Sequence, residues 1–138
     1  MREIEFRGKR IKDGVWIKGS LVDDTFLNKY FIITFKNHEG NIIDVWEEVA
    51  PETVGQFTGL YDINGKEIYE EDIAQATCIE DGVTYFGTIT YDYSGFYLHV
   101  FNYDRLGLYD NGSLIELYEL KNLQVLGNSY DNPELLEK

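Results

Sequence analysis

Cys78 is the only cysteine in the 138-residue chain, so no intramolecular disulfide can form. One thiol and two distant histidines, His38 and His99, also cannot supply a closed four-ligand zinc site. Apolar runs are short. The longest, such as Tyr30-Phe31-Ile32-Ile33, falls far below the ~18–20 residues of a membrane span. Met1 to Arg10 alternates charged and apolar residues, which does not read as a signal peptide. A reducing, cytoplasmic compartment is the expectation, with no membrane partner. Only two prolines occur, and no segment holds a helical period over twelve residues. Turns must then come from the 13 glycines together with Asn and Asp.

Positive charge is scarce beyond the first twenty residues. Residues 1–20 carry six basic side chains (Arg2, Arg7, Lys9, Arg10, Lys12, Lys18) against three acids, and the other 118 residues carry six against 22. A formal charge of −13 repels polyphosphate at long range and disfavours generic nucleic-acid binding. The basic cluster is the one candidate patch that could act against this background.

Period-two alternation dominates what is present. Ile4 and Phe6 alternate with Glu3, Glu5 and Arg7, the pattern of a half-buried strand. Asp13-Gly14 suits a tight hairpin turn before Val15-Trp16-Ile17. Strands are predicted at Tyr30–Lys36 and Ile42–Trp46, then at Ile73–Ile79, Val83–Tyr91 and Phe96–Phe101. Asn102–Ser113 reads as a long loop and Leu114–Leu120 as a strand or a short helix. Leu123–Leu126 reads as a last strand, and Pro133–Leu136 as a short C-terminal helix with Pro in its first turn. The fold class is mainly β, with a hairpin-rich region over 1–62 and a small barrel or sandwich over 63–138. The turn-rich Asp62-Ile63-Asn64-Gly65 marks the expected boundary. No internal repeat is evident.

Catalytic sets are missing. No Gly-x-Ser-x-Gly surrounds any of the four serines, Cys78 reads as a packed strand residue, and no phosphate-cradling glycine loop occurs. Acid pairs such as Asp23-Asp24 and Glu47-Glu48 are what any acidic chain offers. The reading is a non-enzymatic protein with no cofactor and no metal.

Aromatics crowd residues 85–109. Along Phe96–Phe101, Phe96, Leu98 and Val100 face one way while Tyr97, His99 and Phe101 face the other. Both faces are apolar or aromatic, so Tyr97, His99, Phe101 and Tyr103 form a candidate interaction surface. Stacking on single-stranded nucleic acid would need a basic groove, and between residues 80 and 120 Arg105 stands alone against seven acids.

Four blocks carry a resemblance. Arg2-Glu3-Ile4-Glu5-Phe6-Arg7-Gly8-Lys9, then Pro51-Glu52-Thr53-Val54-Gly55-Gln56-Phe57-Thr58-Gly59-Leu60, closely resemble the YopX family. Asn64-Gly65-Lys66-Glu67-Ile68-Tyr69-Glu70 and Val125–Leu136 extend the likeness in the same order. The resemblance implies a small phage or prophage protein without an established function, and an SH3-type small barrel in the second half. The family's usual Gly-Asp-Ile is replaced here by Glu71-Asp72-Ile73. It attaches no catalytic residues, and Gly55-Gln56-Phe57-Thr58-Gly59 reads as backbone geometry with Phe57 packed inside.

The expected function is that of an accessory protein working through protein–protein contacts, as a homo-oligomer or with a host protein. The acidic body could act as a decoy for a nucleic-acid-binding protein, or the barrel as a reader of Pro-rich peptides carrying Arg or Lys. The alternative from another class is nucleic-acid binding by the basic N-terminal hairpin.

Overall fold

The computed structural model describes residues 3–92, 95–104 and 107–136, with the side chains of residues 102–112 outside the description. Eleven strands form two antiparallel sheets in the described residues. The chain divides into two compact units, Met1–Phe57 and Thr58–Lys138.

Unit 1 holds β1 (Phe6–Lys9), β2 (Trp16–Asp24), β3 (Lys29–His38), β4 (Asn41–Val49) and the start of β5 (Gly55–Tyr61). Sheet order is β4-β3-β2-β1-β5. The β3–β4 ladder runs unbroken from Tyr30↔Val49 to His38↔Asn41. The strands are therefore longer than their apolar stretches suggested, and the turn shrinks to Glu39-Gly40, both at positive φ. At its other end β4 meets the segment after β1: Arg10 bridges Val49, and the Ile11 N–H donates to the Glu48 carbonyl. Val49 and Ile32 are fully buried inside this curl, with Gly8 lying directly against Val49.

Unit 2 takes up β5 and continues through β6 (Glu67–Tyr69), β7 (Asp72–Cys78), β8 (Thr84–Asp92), β9 (Gly95–Asp104), β10 (Gly107–Glu116) and β11 (Leu120–Asn128). Here β5 neighbours β6, and the second sheet has the order β10-β9-β8-β7-β11. Three hairpins lead from β7 to β10, and β11 returns to pair with β7. No described ladder joins β10 to β11, so this is an open sheet and not the closed SH3-type barrel expected. Ile68, Ala74, Ile89, Leu98, Val100 and Leu117 form its core. The alternation read along Phe96–Phe101 places Leu98 and Val100 in that core.

Two expectations need correction. Asn102–Ser113, expected as a long loop, holds paired backbone at residues 102–104 and 107–110: β9 and β10 form a ladder from Gly107↔Asp104 to Glu116↔Tyr97, irregular between Asp110 and Leu114. Polar residues suit this strand because β10 lies at the sheet edge. The C-terminal helix is a single 3-10 turn, Pro133–Leu136, and the described residues contain no α-helix. Leu114–Leu120 proves to be both options at once, the end of β10 followed by a 3-10 turn at Leu117–Glu119.

The two Asp-Gly turns are built identically. Ile11-Lys12-Asp13-Gly14-Val15 and Ile79-Glu80-Asp81-Gly82-Val83 share Ile-x-Asp-Gly-Val. The N–H of Arg10 donates to the Val15 carbonyl at 2.9 Å, as that of Cys78 does to Val83 at 2.9 Å. Asp13 accepts the Val15 N–H at 3.1 Å, and Asp81 the Val83 N–H at 2.8 Å. Gly14 and Gly82 both sit at φ 71°, in the left-handed region that spares them a Cβ clash. The loop is thus four residues long rather than the tight turn expected.

Gly87 on β8 allows a close strand approach: a Cβ there would collide with the His99 carbonyl oxygen of β9. Since that atom is ladder backbone, Gly87→Ala should cost about 1–3 kcal/mol of stability. Urea unfolding followed by circular dichroism checks this; an unchanged midpoint contradicts the assigned packing.

Candidate functional site

The structure scatters the basic cluster more than the sequence suggested. Arg7 and Lys9 on β1 face Lys18 and Trp16 across the ladder. The Arg7 guanidinium lies 4.7 Å from the Trp16 ring centroid and the Lys9 ammonium 5.3 Å, so both cations engage one indole. Arg7 is itself buried. Arg10 turns to acids instead, at 2.7 Å from Asp13 and 3.5 Å from Glu47. The hydrogen bond from Arg10 holds the Asp13 carboxyl below its ordinary range, and the same pair raises the guanidinium. Lys12 stands exposed in the loop, and Arg2 lies outside the described residues.

Of the aromatic surface, Tyr97, His99 and Phe101 are half-buried on one face of β9, while the side chain of Tyr103 lies outside the description. The His99 and Phe101 rings pack with centroids 5.4 Å apart. Across the ladders Tyr97 meets Thr90 and Glu116, and His99 meets Thr88 and Leu114. Cys78 is buried. No group of three His, Cys, Asp or Glu among the described residues could hold a metal ion. None of the helices described is long and apolar enough to cross a membrane.

A different surface stands out in unit 1. Register places Phe31, Ile33 and Phe35 of β3 on one face with Trp46 and Ile42 of β4. Phe31 and Trp46 pack with ring centroids 6.0 Å apart. Phe35 is 67% exposed, Ile42 77% and Trp46 54%. β4 is also the edge of its sheet. Its end is covered by Lys9–Ile11, but no described strand pairs with the outer side of the stretch from Asn41 to Trp46. Alternation along β3 was the signal available in the sequence; that one face stays open depends on the sheet's order, which the pattern does not carry.

The sequence model of the YopX protein family matches residues 5–137. The chain belongs to the YopX family. It is also similar to a solved structure, the crystal structure of protein EF1440 from Enterococcus faecalis. The two share 21% identity and a TM-score of 0.56, over 99% of this chain and 100% of that one. That likeness speaks to fold alone. No curated protein matches the chain.

The blocks that resemble the YopX family now have structural roles. Thr58 donates its hydroxyl to the Ile68 carbonyl at 2.8 Å, and Phe57 is almost wholly buried. In Val125–Leu136, a Cβ at Gly127 would overlap the Asn132 side chain, whose Oδ1 accepts the Asn128 N–H at 3.1 Å. Asn128 Oδ1 in turn accepts the N–H groups of Tyr130 (3.0 Å) and Asp131 (2.8 Å). These residues brace turns.

Asp62 accepts three backbone N–H groups. Its Oδ1 accepts the N–H of Asn64 at 2.8 Å and of Lys66 at 2.9 Å; its Oδ2 accepts that of Val125 on β11 at 3.0 Å. Burial is the largest single influence on its carboxyl and pushes the pKa up. The three backbone N–H bonds, with the Lys66 charge, together outweigh it and leave the group below its ordinary value. A depressed carboxyl stabilises the fold fully above its unfolded pKa of about 4, and that contribution is lost as pH falls through the lower folded value. Asp62→Ala should cost about 3 kcal/mol, since three donors lose their acceptor. Asp62→Asn should flatten the acid limb of the stability–pH curve below about pH 4. Denaturant midpoints measured between pH 2 and pH 7 test both, and curves parallel to wild type would refute the role.

Proposed function

We propose that this YopX-family protein is a non-enzymatic accessory protein that acts through protein–protein contact, beginning with its own self-association along β4. The observation that carries this reading is the open edge of β4 beside an exposed apolar face. An edge strand of this kind is a template for pairing, and natural sheets commonly blunt it with Lys or Pro. Asn41–Trp46 contains neither, and Ile42, Ile43, Val45 and Trp46 supply apolar surface along it. Antiparallel pairing of a strand with its own copy satisfies a two-fold axis, in which one patch serves both partners. The single carboxylate, Asp44, disfavours a register that sets it opposite itself.

The setting that the resemblance implies, a phage or prophage, fits a small protein whose work is to contact others. Nucleic-acid binding by the basic hairpin is the weaker reading, because Arg10 is committed to Asp13 and Glu47 and Arg7 is buried against Trp16.

Sedimentation between about 1 and 100 μM should show reversible self-association, in the range where modest interfaces titrate. Asp44→Pro, which removes an N–H on the outer side of the edge, and Trp46→Glu, which charges the face, should each shift the protein to monomer with unchanged circular dichroism. A wild-type chain that stays monomeric throughout this range would overturn the self-association reading.

A further inference from the structure

Unit 2 contains a groove that the reading above does not use. Two adjoining clefts, of about 310 Å³ and 380 Å³, share Leu60, Leu117 and Tyr118. The first is completed by Thr58, Gly95, Phe96, Tyr97 and Glu116. The second runs on past Ile63 to Leu123 and ends beside Lys121. Their walls are aromatic and aliphatic, and Glu116 is the one charged group lining the first cleft. Leu60, Ile63 and Tyr118 are exposed although they are large and apolar.

We propose that this groove binds an extended segment of a partner protein in which a Lys or Arg side chain is followed by apolar ones, with Glu116 receiving the cation. Three observations support it. The first cleft offers a carboxylate among the rings of Phe96, Tyr97 and Tyr118, which suits a cation on an aliphatic stem: the stem packs on the rings and the head pairs with the acid. Glu116 is placed by the ladder, where it sits opposite Tyr97. Finally, the charge is divided unequally. Residues 1–57 carry eight basic and ten acidic side chains, whereas residues 58–138 carry four and 15. Most of the chain's net negative charge thus falls in the unit that carries the groove, which draws in basic segments and repels both nucleic acid and another copy of unit 2. The second cleft is lined by Lys121 and by Asp62, whose carboxylate already accepts three backbone N–H groups, so its preference is for the apolar continuation of a segment with one basic residue.

The test is a fluorescence-anisotropy titration of the full chain with a labelled acetyl-Gly-Arg-Leu-Leu-Gly-amide peptide, beside the same peptide with Gln in place of Arg. Saturable binding of the Arg peptide is expected, at least about tenfold tighter than the Gln peptide. Glu116→Gln should weaken it about tenfold and Leu60→Ser several-fold. Glu80→Gln, which removes the same charge at an exposed position outside the groove, should change it less than twofold. Absence of saturation up to about 2 mM overturns the proposal, as do equal losses in Glu116→Gln and Glu80→Gln, which would mark diffuse attraction by the acidic surface. Sedimentation of Glu116→Gln should match wild type, so this site and the β4 edge succeed or fail separately.

Discussion

Three backbone N–H groups from two stretches of unit 2 converge on one carboxylate. Asn64 and Lys66 belong to the turn between β5 and β6, while Val125 lies on β11, far along the chain. The Asp62 side chain therefore joins a local turn to the strand that returns beside β7. A second link repeats the connection: the Ile63 N–H donates to the Leu123 carbonyl at 2.8 Å. These bonds fasten β11, already paired with β7, to the turn between β5 and β6. The turn Glu71 (φ 71°) adds another anchor, because Ser129 donates both its N–H and its hydroxyl to that residue. The groove inherits this order, since β5 and the turn before β11 form its walls.

Local pattern made much of the strand content legible. Alternation from Phe96 to Phe101 put Leu98 and Val100 together on one face, and that is the face the structure buries. Asp13-Gly14 marked a reversal that the structure builds around a capping aspartate, and Asp81-Gly82 builds another in the same way. The Ile-x-Asp-Gly-Val repeat is five residues long at a distance of 68 positions, too short and too widely spaced to build a solenoid. Asn102–Ser113 misled because composition was read as loop, although backbone pairing at an edge tolerates polar side chains. Openness of the second sheet could not be read at all. Strand count and spacing are the same whether or not the outer strands meet.

Sites were harder to see than strands. The six basic residues near the N-terminus looked like one patch in one dimension. In the sheet Arg10 turns to Asp13 and Glu47, while Arg7 and Lys9 share Trp16. The groove draws on residues 58–63, 95–97 and 116–123, so no contiguous motif announces it. The open face of β3 and β4 gives a similar lesson. Phe35 and Trp46 look like core residues in sequence, and only the folded sheet shows that both are more than half exposed.

The paired Ile-x-Asp-Gly-Val loops give the molecule matched internal gauges. One lies in each compact unit, with the same glycine dihedral, the same Asp-to-backbone bond and the same closing distance. A given change at Gly14 or at Gly82 therefore imposes nearly the same local penalty on different halves of the chain. Any difference in how far that penalty spreads measures the cooperativity of the surrounding unit rather than the chemistry of the loop. Unit 1, with few fully buried apolar side chains, and unit 2, with a larger core, can thus be compared against a common standard within a single polypeptide.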